Sequence, residues 1–299
     1  MSKKNLWIES FSTLFLKPSP IISPTSEVYQ ASQIPQLVKK PSLIIISGII
    51  LLIIFSILFY YTSLSALGLF TFSILPALIV FAWILKTDRY EAEPKSLVVT
   101  VIGIGSCVAA AYSIISYPSG LFYYILSSIL VEISFFLILF ALDSNRLTGR
   151  EFNDHLDGVV YGAALGFGYV AYNNFVITTL LPGMVNPSFL ILLSLENMFL
   201  IVFPALTGWW IGYAKAKYTS INFFDLIAGL APVIVLRITY ELTVTLLASL
   251  SLTLRLTGII LIGVIMLSIM YRRISWALED ERLWGYLTGK APIEKASSK

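Results

Sequence analysis

The chain has 299 residues, of which 57% are hydrophobic and only 12% charged, with a formal net charge of +3. Its mean hydropathy of +0.85 lies far from that of an ordinary water-soluble domain. A soluble globular enzyme is excluded, and so small a net charge on so apolar a chain gives no ground for a nucleic-acid partner.

Residues 1–42 divide in two. Trp7, Phe11, Leu14 and Phe15 recur at helical spacing among Glu9, Ser10, Ser12 and Thr13, which predicts a short helix lying in the headgroup region. Pro18, Pro20, Pro24 and Pro35 then preclude a long helix and predict an extended tether. Eight apolar stretches follow, each near the roughly 20 residues that cross a bilayer core. They are Leu43–Tyr61, Leu67–Leu85, Leu97–Tyr117, Leu121–Leu142, Gly158–Leu181, Phe189–Tyr213, Phe223–Leu247 and Leu254–Tyr271, the last being the shortest. The first lacks the short core and small-residue cleavage pattern of a signal peptide, so it is expected to serve as the insertion signal. Beyond the last stretch, "YRRISWALEDERLWGYLTGK" mixes charges with Trp276, Trp284 and Tyr286, as a juxtamembrane helix does. The single cysteine, Cys107, falls in the third stretch, so neither a disulfide framework nor a Cys-based zinc site can be built.

Loop charge tests the span list, because Lys and Arg accumulate on the cytoplasmic side. With both termini cytoplasmic, the inside segments hold Lys3, Lys4, Lys17, Lys39 and Lys40; Lys86, Arg89 and Lys95; Arg146 and Arg150; Lys215 and Lys217; and six basic residues after Tyr271. That places 18 of the 20 basic residues inside, leaving Arg255 outside and Arg237 within the membrane. The expected fold is all-α: a polytopic membrane helix bundle of about eight transmembrane helices with both termini in the cytoplasm. Residues 1–42 form an interfacial helix and Pro-rich tether, 43–271 the transmembrane domain and 272–299 a juxtamembrane tail. The expected setting is the plasma membrane, and the expected partners are the bilayer and another membrane protein.

Charges at the bilayer centre cost about 2.5–3.5 kcal/mol each on insertion scales, so those that remain have a partner or a task. Four acidic or basic residues fall there, Glu132, Glu196, Arg237 and Glu241, with Asn173, Asn174 and Asn197 as buried amides. At about 1.5 Å rise per residue, Glu132 comes out at the midplane and the others about 3 to 9 Å to its outer side. The fourth to seventh spans thus supply one polar layer. Gly158, Gly162 and Gly166 give the fifth span a smooth face for close packing, and Gly105 with Ala109 offers a weaker one on the third. Three carboxylates against one guanidinium leave two excess negative charges if all are ionised, which requires either protonation or a compensating cation. A register-fixing Arg237–Glu pair and a bound ion are both open at this point.

"TDRYEAEPKSL" (87–97) resembles the cytoplasmic D-R-Y-E-x-E-P segment of the PrsW family of intramembrane metalloproteases, which is related to the CAAX-type membrane proteases. "LVEISFF" sits where that family has a Glu-Glu-x-x-Lys helix, and "REFNDHLDGVVYGAALGFGYVAYNN" resembles its D-G-x-x-Y-G-A-x-x-G-x-G-F stretch ending in Glu-Asn. "ALTGWWIGYA" and "LRITYEL" fall where it has a His-containing helix and a His-x-x-x-Asn helix, so the resemblance covers about residues 81–250. It implies a metal held by Glu and His side chains that activates water to attack a peptide bond.

The residues that would do this have changed. Of the paired glutamates Glu132 alone remains, the Lys position is Phe135 or Phe136, and the Glu-Asn pair is Asn173 and Asn174. The His of the sixth span is replaced by Phe203 or Pro204, and the His and Asn of the seventh by Arg237 and Glu241. A catalytic zinc wants about three protein ligands and an open position. The one histidine, His155, is expected to be a solvated loop residue, and Asp88, Glu91 and Glu93 a solvated loop.

Arg237 is therefore expected to place a permanent positive charge where relatives place a metal, paired with Glu132 or Glu241. The expected function is a catalytically degenerate, PrsW-like scaffold or binding partner for another membrane protein, as the inactive scaffold subunit of gamma-secretase is among distant relatives. No cofactor is expected. One alternative is an active intramembrane metalloprotease with candidate residues Glu132, Asn173, Arg237 and Glu241 and a divalent metal on Glu132, Glu196 and Glu241. Another is a proton- or cation-coupled transporter.

Overall fold

The computed structural model describes residues 6–21, 65–88, 93–114, 121–180, 186–218 and 223–284. The first apolar stretch, Leu43–Tyr61, the distal tether with Pro24 and Pro35, Arg89 and Glu91 of the acidic loop, and the tail from Gly285 onward lie outside the described residues. The described residues are helical throughout apart from short connections, with no strand. In chain order the helices are α1 (Leu6–Phe15), α2 (Ser65–Thr87), α3 (Lys95–Ile114), α4 (Leu121–Ser144), α5 (Thr148–Glu151), α6 (His155–Leu180), α7 (Pro187–Leu200), α8 (Val202–Lys217), α9 (Phe223–Leu247) and α10 (Leu252–Trp284). Among the described residues six paths are long and apolar enough to cross a membrane, namely α2, α3, α4, the α7–α8 pair, α9 and α10; α6, expected as the fifth span, is not one of them. The chain is a multi-pass helical membrane protein.

The stretch expected as one span, Phe189–Tyr213, is two helices broken at Ile201. Pro204 has no N–H to donate to the carbonyl four residues back, so the ladder is interrupted there. The Asn186 side chain caps the start of α7 by accepting from Phe189 N at 2.8 Å, with Pro187 in the first turn. By contrast α9 runs unbroken through Pro232.

At the centre lies α6, in which every residue from His155 to Gly166 is buried. In lipid there is little hydrophobic force between helices, so close backbone approach and polar contacts hold them together. A Cβ on Gly158 would land on the Gly208 carbonyl, and one on Gly162 on the Pro204 carbonyl, so one face of α6 lies directly against α8. A second face meets α3 in the same way, with Gly168 against the Ile102 carbonyl and Gly105 against that of Leu165. Ser106 adds a hydrogen bond to Gly168 O at 3.0 Å across that seam.

One end of the bundle holds Lys17, Lys215 and Lys217, each in an ion pair. There Glu9 of α1 accepts from Lys217 Nζ at 2.5 Å, Tyr218 OH at 2.6 Å and Tyr213 OH at 3.0 Å. Burial pushes the Glu9 carboxyl up, but the Lys217 ammonium and these hydroxyls outweigh it and hold the group below its ordinary value. Helix α1 buries Ser10, Thr13 and Leu14 and exposes Ile8, Phe11 and Phe15, so its apolar face is turned away from the bundle. It ends before Pro18, as the fixed proline ring requires. The last apolar stretch does not stop at Tyr271. Helix α10 continues to Trp284 and buries Arg273, Ile274, Ala277, Asp280 and Glu281, and Trp209 Nε1 donates to Arg273 O at 3.1 Å.

Candidate polar site within the membrane

The i, i+4 spacing of Arg237 and Glu241 puts both on one face of α9, one turn apart. Arg237 Nε donates to Glu241 Oε1 at 3.0 Å, and Arg237 Nη1 donates to Glu132 Oε1 of α4 at 3.2 Å. The guanidinium thus bridges two acids from two helices. Arg237 is 4% exposed and Glu132 is fully buried, so the bond between them belongs to a dry interior, whereas the Glu241 side chain is 22% exposed. The Phe203 ring lies 5.2 Å from the guanidinium carbon, a cation–π contact that closes the remaining side. Glu132 Oε2, also buried, has no hydrogen-bond partner among the described residues.

The remaining polar residues form separate groups. Asn174 of α6 donates to Ser73 O of α2 at 3.1 Å and accepts from Asn197 Nδ2 of α7 at 2.5 Å, while Thr178 Oγ1 donates back to Asn174 O at 2.6 Å. These amides therefore tie three helices together and spend their bonding capacity on one another. Asn173 lies one turn beyond Tyr169 on the same helix. Glu196 of α7 accepts from Arg255 Nη2 of α10 at 3.0 Å, and Tyr240 OH donates to Glu196 O at 2.9 Å.

The Glu196–Arg255 pair changes the charge count. Arg255, expected to lie outside, reaches an acid of the layer, so Glu132, Glu196 and Glu241 face Arg237 and Arg255. Three negative groups against two positive ones leave one excess charge rather than two. Sequence reasoning missed Arg255 because it sits only a few residues into α10, and a long side chain can place its charge well away from its own Cα.

Two expectations about the basic end are corrected. His155 is fully buried, not solvated, because it opens α6 beneath α8 and the extension of α10. Its ring packs edge-on against Trp209 and Tyr213, and its Nε2 lies 3.4 Å from Asp280 Oδ2. The acidic loop is not solvated at Asp88, which is 5% exposed and accepts from Glu93 N at 3.3 Å. Glu93 in turn accepts from the Tyr161 hydroxyl of α6. Burial, with Asp157 and Asp88 nearby, raises the Glu93 carboxyl well above the ordinary range. At the start of α6, Asp154 Oδ1 accepts from Leu156 N at 2.8 Å and Asp157 N at 3.2 Å. Asp157 Oδ2 returns the arrangement by accepting from Asn153 N and Asp154 N, a reciprocal helix cap. Burial first, and then the Asp157 charge, push the Asp154 carboxyl up to about 7.

The donor set at Arg237 does not fit a catalytic zinc. Among the described residues no three His, Cys, Asp or Glu side chains converge as ligands, and His155 stands at the basic end. Glu132 and Glu241 each have an oxygen committed to the guanidinium. Comparison of the chain with family models, curated proteins and solved structures returns no match.

Proposed function

We propose that this chain is a catalytically inert, PrsW-like membrane protein that serves as a scaffold or binding partner for another membrane protein. In this reading eight spans cross the plasma membrane and the basic end, with both termini, faces the cytoplasm. The clustering of Lys17, Lys215 and Lys217 at one end of the bundle supports that orientation.

The observation that carries the proposal is the Arg237 guanidinium bonded at once to Glu132 and Glu241. Metal-assisted hydrolysis needs carboxylates free to bind an ion and an open position for water. Here an organic cation that stays protonated occupies both acids, and Phe203, which with Pro204 is one of the two positions where the resemblance would place a histidine, packs its ring against the guanidinium. The fold is retained by the same ion pair that removes the chemistry.

The test has two readouts on the full chain. Crosslinking in native membranes should give one discrete heteromeric band carrying a second membrane protein in fixed stoichiometry, and cleavage of a model transmembrane substrate should be absent in the wild type and in Glu132→Ala alike. A chain that crosslinks to nothing, or cleavage that Glu132→Ala abolishes, overturns the proposal. The excess carboxylate, with Glu132 Oε2 unpartnered, favours a proton- or cation-coupled transporter as the second reading. Proton-driven flux in proteoliposomes lost in Glu132→Gln would establish it.

A further inference from the structure

A groove of about 590 Å³ runs between α2 and α10, far from the Arg237 site, and is lined by Ile79, Val80 and Trp83 on one side and Val264, Leu267 and Tyr271 on the other. Its wall is apolar apart from Ser268 midway along α10 and Arg272 at one end. Trp83 and Tyr271 stack across it at 6.4 Å, joining the two helices at that level.

Position in the membrane gives the groove a meaning. From Leu254 the apolar run of α10 extends to Tyr271, about 27 Å at 1.5 Å per residue, so Arg272 stands where hydrocarbon gives way to headgroups. From Val264 to Arg272 the groove is about 12 Å long, close to the depth of one leaflet. On α2 the stripe 79, 83 continues at helical spacing to Lys86, which is exposed, so a second cation stands at the same end. Among the described residues neither Lys86 nor Arg272 takes part in an ion pair, whereas Lys17, Lys215 and Lys217 at the same end all do. Tryptophan and tyrosine at the mouth are the side chains that favour the interfacial level.

We infer that this groove is a binding site for one membrane lipid with an anionic phosphate headgroup, its chain lying against Ile79, Val264 and Leu267 and its phosphate held by Arg272 and Lys86. An apolar trough closed at headgroup depth by two cations that are in no ion pair among the described residues matches that amphiphile in shape and in charge. A zwitterionic lipid would fit the trough but gain little at the mouth. The site does not depend on the scaffold role, and its failure would leave that role untouched.

Native mass spectrometry of the full chain released from detergent, titrated with phosphatidylglycerol or phosphatidylcholine of identical chains, tests this. The wild type should bind one phosphatidylglycerol in preference to phosphatidylcholine. Each neutralisation, Arg272→Gln or Lys86→Gln, should weaken phosphatidylglycerol by about fivefold and the pair by about 25-fold, from roughly a tenfold change per 1.4 kcal/mol and the usual contribution of a basic residue near the surface. Val264→Trp, which fills the trough and keeps both charges, should abolish the adduct. Equal binding of the two lipids, no loss in the double variant, or full binding in Val264→Trp would overturn the inference. The last result would mean that the lipid binds outside the trough.

Discussion

Replacing Arg237 with methionine removes the guanidinium but keeps most of the side-chain volume. Two charge-assisted hydrogen bonds are lost, at 3.2 Å to Glu132 and 3.0 Å to Glu241. The two acids do not suffer equally. Glu241 is 22% exposed at its side chain and can be reached by solvent or headgroups, whereas Glu132 is at 0%. Removing one partner of a buried pair costs about 3–5 kcal/mol because the other charge is left uncompensated, and most of that cost should fall on Glu132. The double variant Arg237→Met/Glu132→Gln removes the stranded charge as well and should recover all but about 1–2 kcal/mol, since neutral replacement of a whole buried pair is often tolerated. The difference between the single and double variants, about 2–3 kcal/mol, together with the loss measured for Glu132→Gln alone, gives the coupling energy in a double-mutant cycle. Unfolding by SDS titration in mixed micelles, followed by tryptophan fluorescence, supplies the free energies. If Arg237→Met lies within about 0.5 kcal/mol of wild type, or if the two changes simply add, then the guanidinium is not what balances Glu132.

Arg255→Gln breaks a pair that is 26% and 22% exposed, so the same titration should register no more than about 1 kcal/mol, and a loss as large as that of Arg237→Met would contradict the burial argument. Asp154 ionises near 3.8 when unfolded and near 7 in the fold, so its stabilisation is complete below the first value and is lost as pH rises through the second. Asp154→Asn keeps the cap oxygen and should flatten the fall in unfolding midpoint between pH 5 and pH 8; an unchanged slope would refute the assignment. Gly158→Leu must push α6 off the Gly208 carbonyl and should prevent accumulation of folded protein in membranes, whereas Gly103→Ala, with open space around it, should express normally. Arg237→His combined with Glu241→Asn places a nitrogen ligand beside Glu132 and should bind zinc by calorimetry more tightly than the wild type; equal affinity in the two would contradict the account.

The parts of this molecule that depend on local spacing could be read from the chain. The four-residue repeat of Gly158, Gly162 and Gly166 marks a face with no side chains, and only another backbone can fill it; Gly208 and Pro204 of α8 do. The one-turn separation of Arg237 and Glu241 likewise dictates their contact. What could not be read depends on which helix lies across the way. His155 looks like a loop residue until α8 and the extension of α10 cover it. Asp88 and Glu93 look solvated until Tyr161 and Asp157 of α6 close over them. Arg255 is assigned to an outside loop by its sequence neighbours, yet Glu196 stands opposite. The break at Ile201 did leave a local sign in Pro204, but Pro76 and Pro232 show that a proline in a membrane helix need not interrupt it.

The most direct measurement is the metal content of the full chain, purified from membranes without chelators and analysed by mass spectrometry of the elements. With Arg237 as the resident cation, transition metal should be far below one equivalent, and EDTA should leave the unfolding midpoint unchanged. One equivalent of zinc or another divalent ion, retained through purification and lost in Glu132→Gln, would show that the acids hold a metal after all.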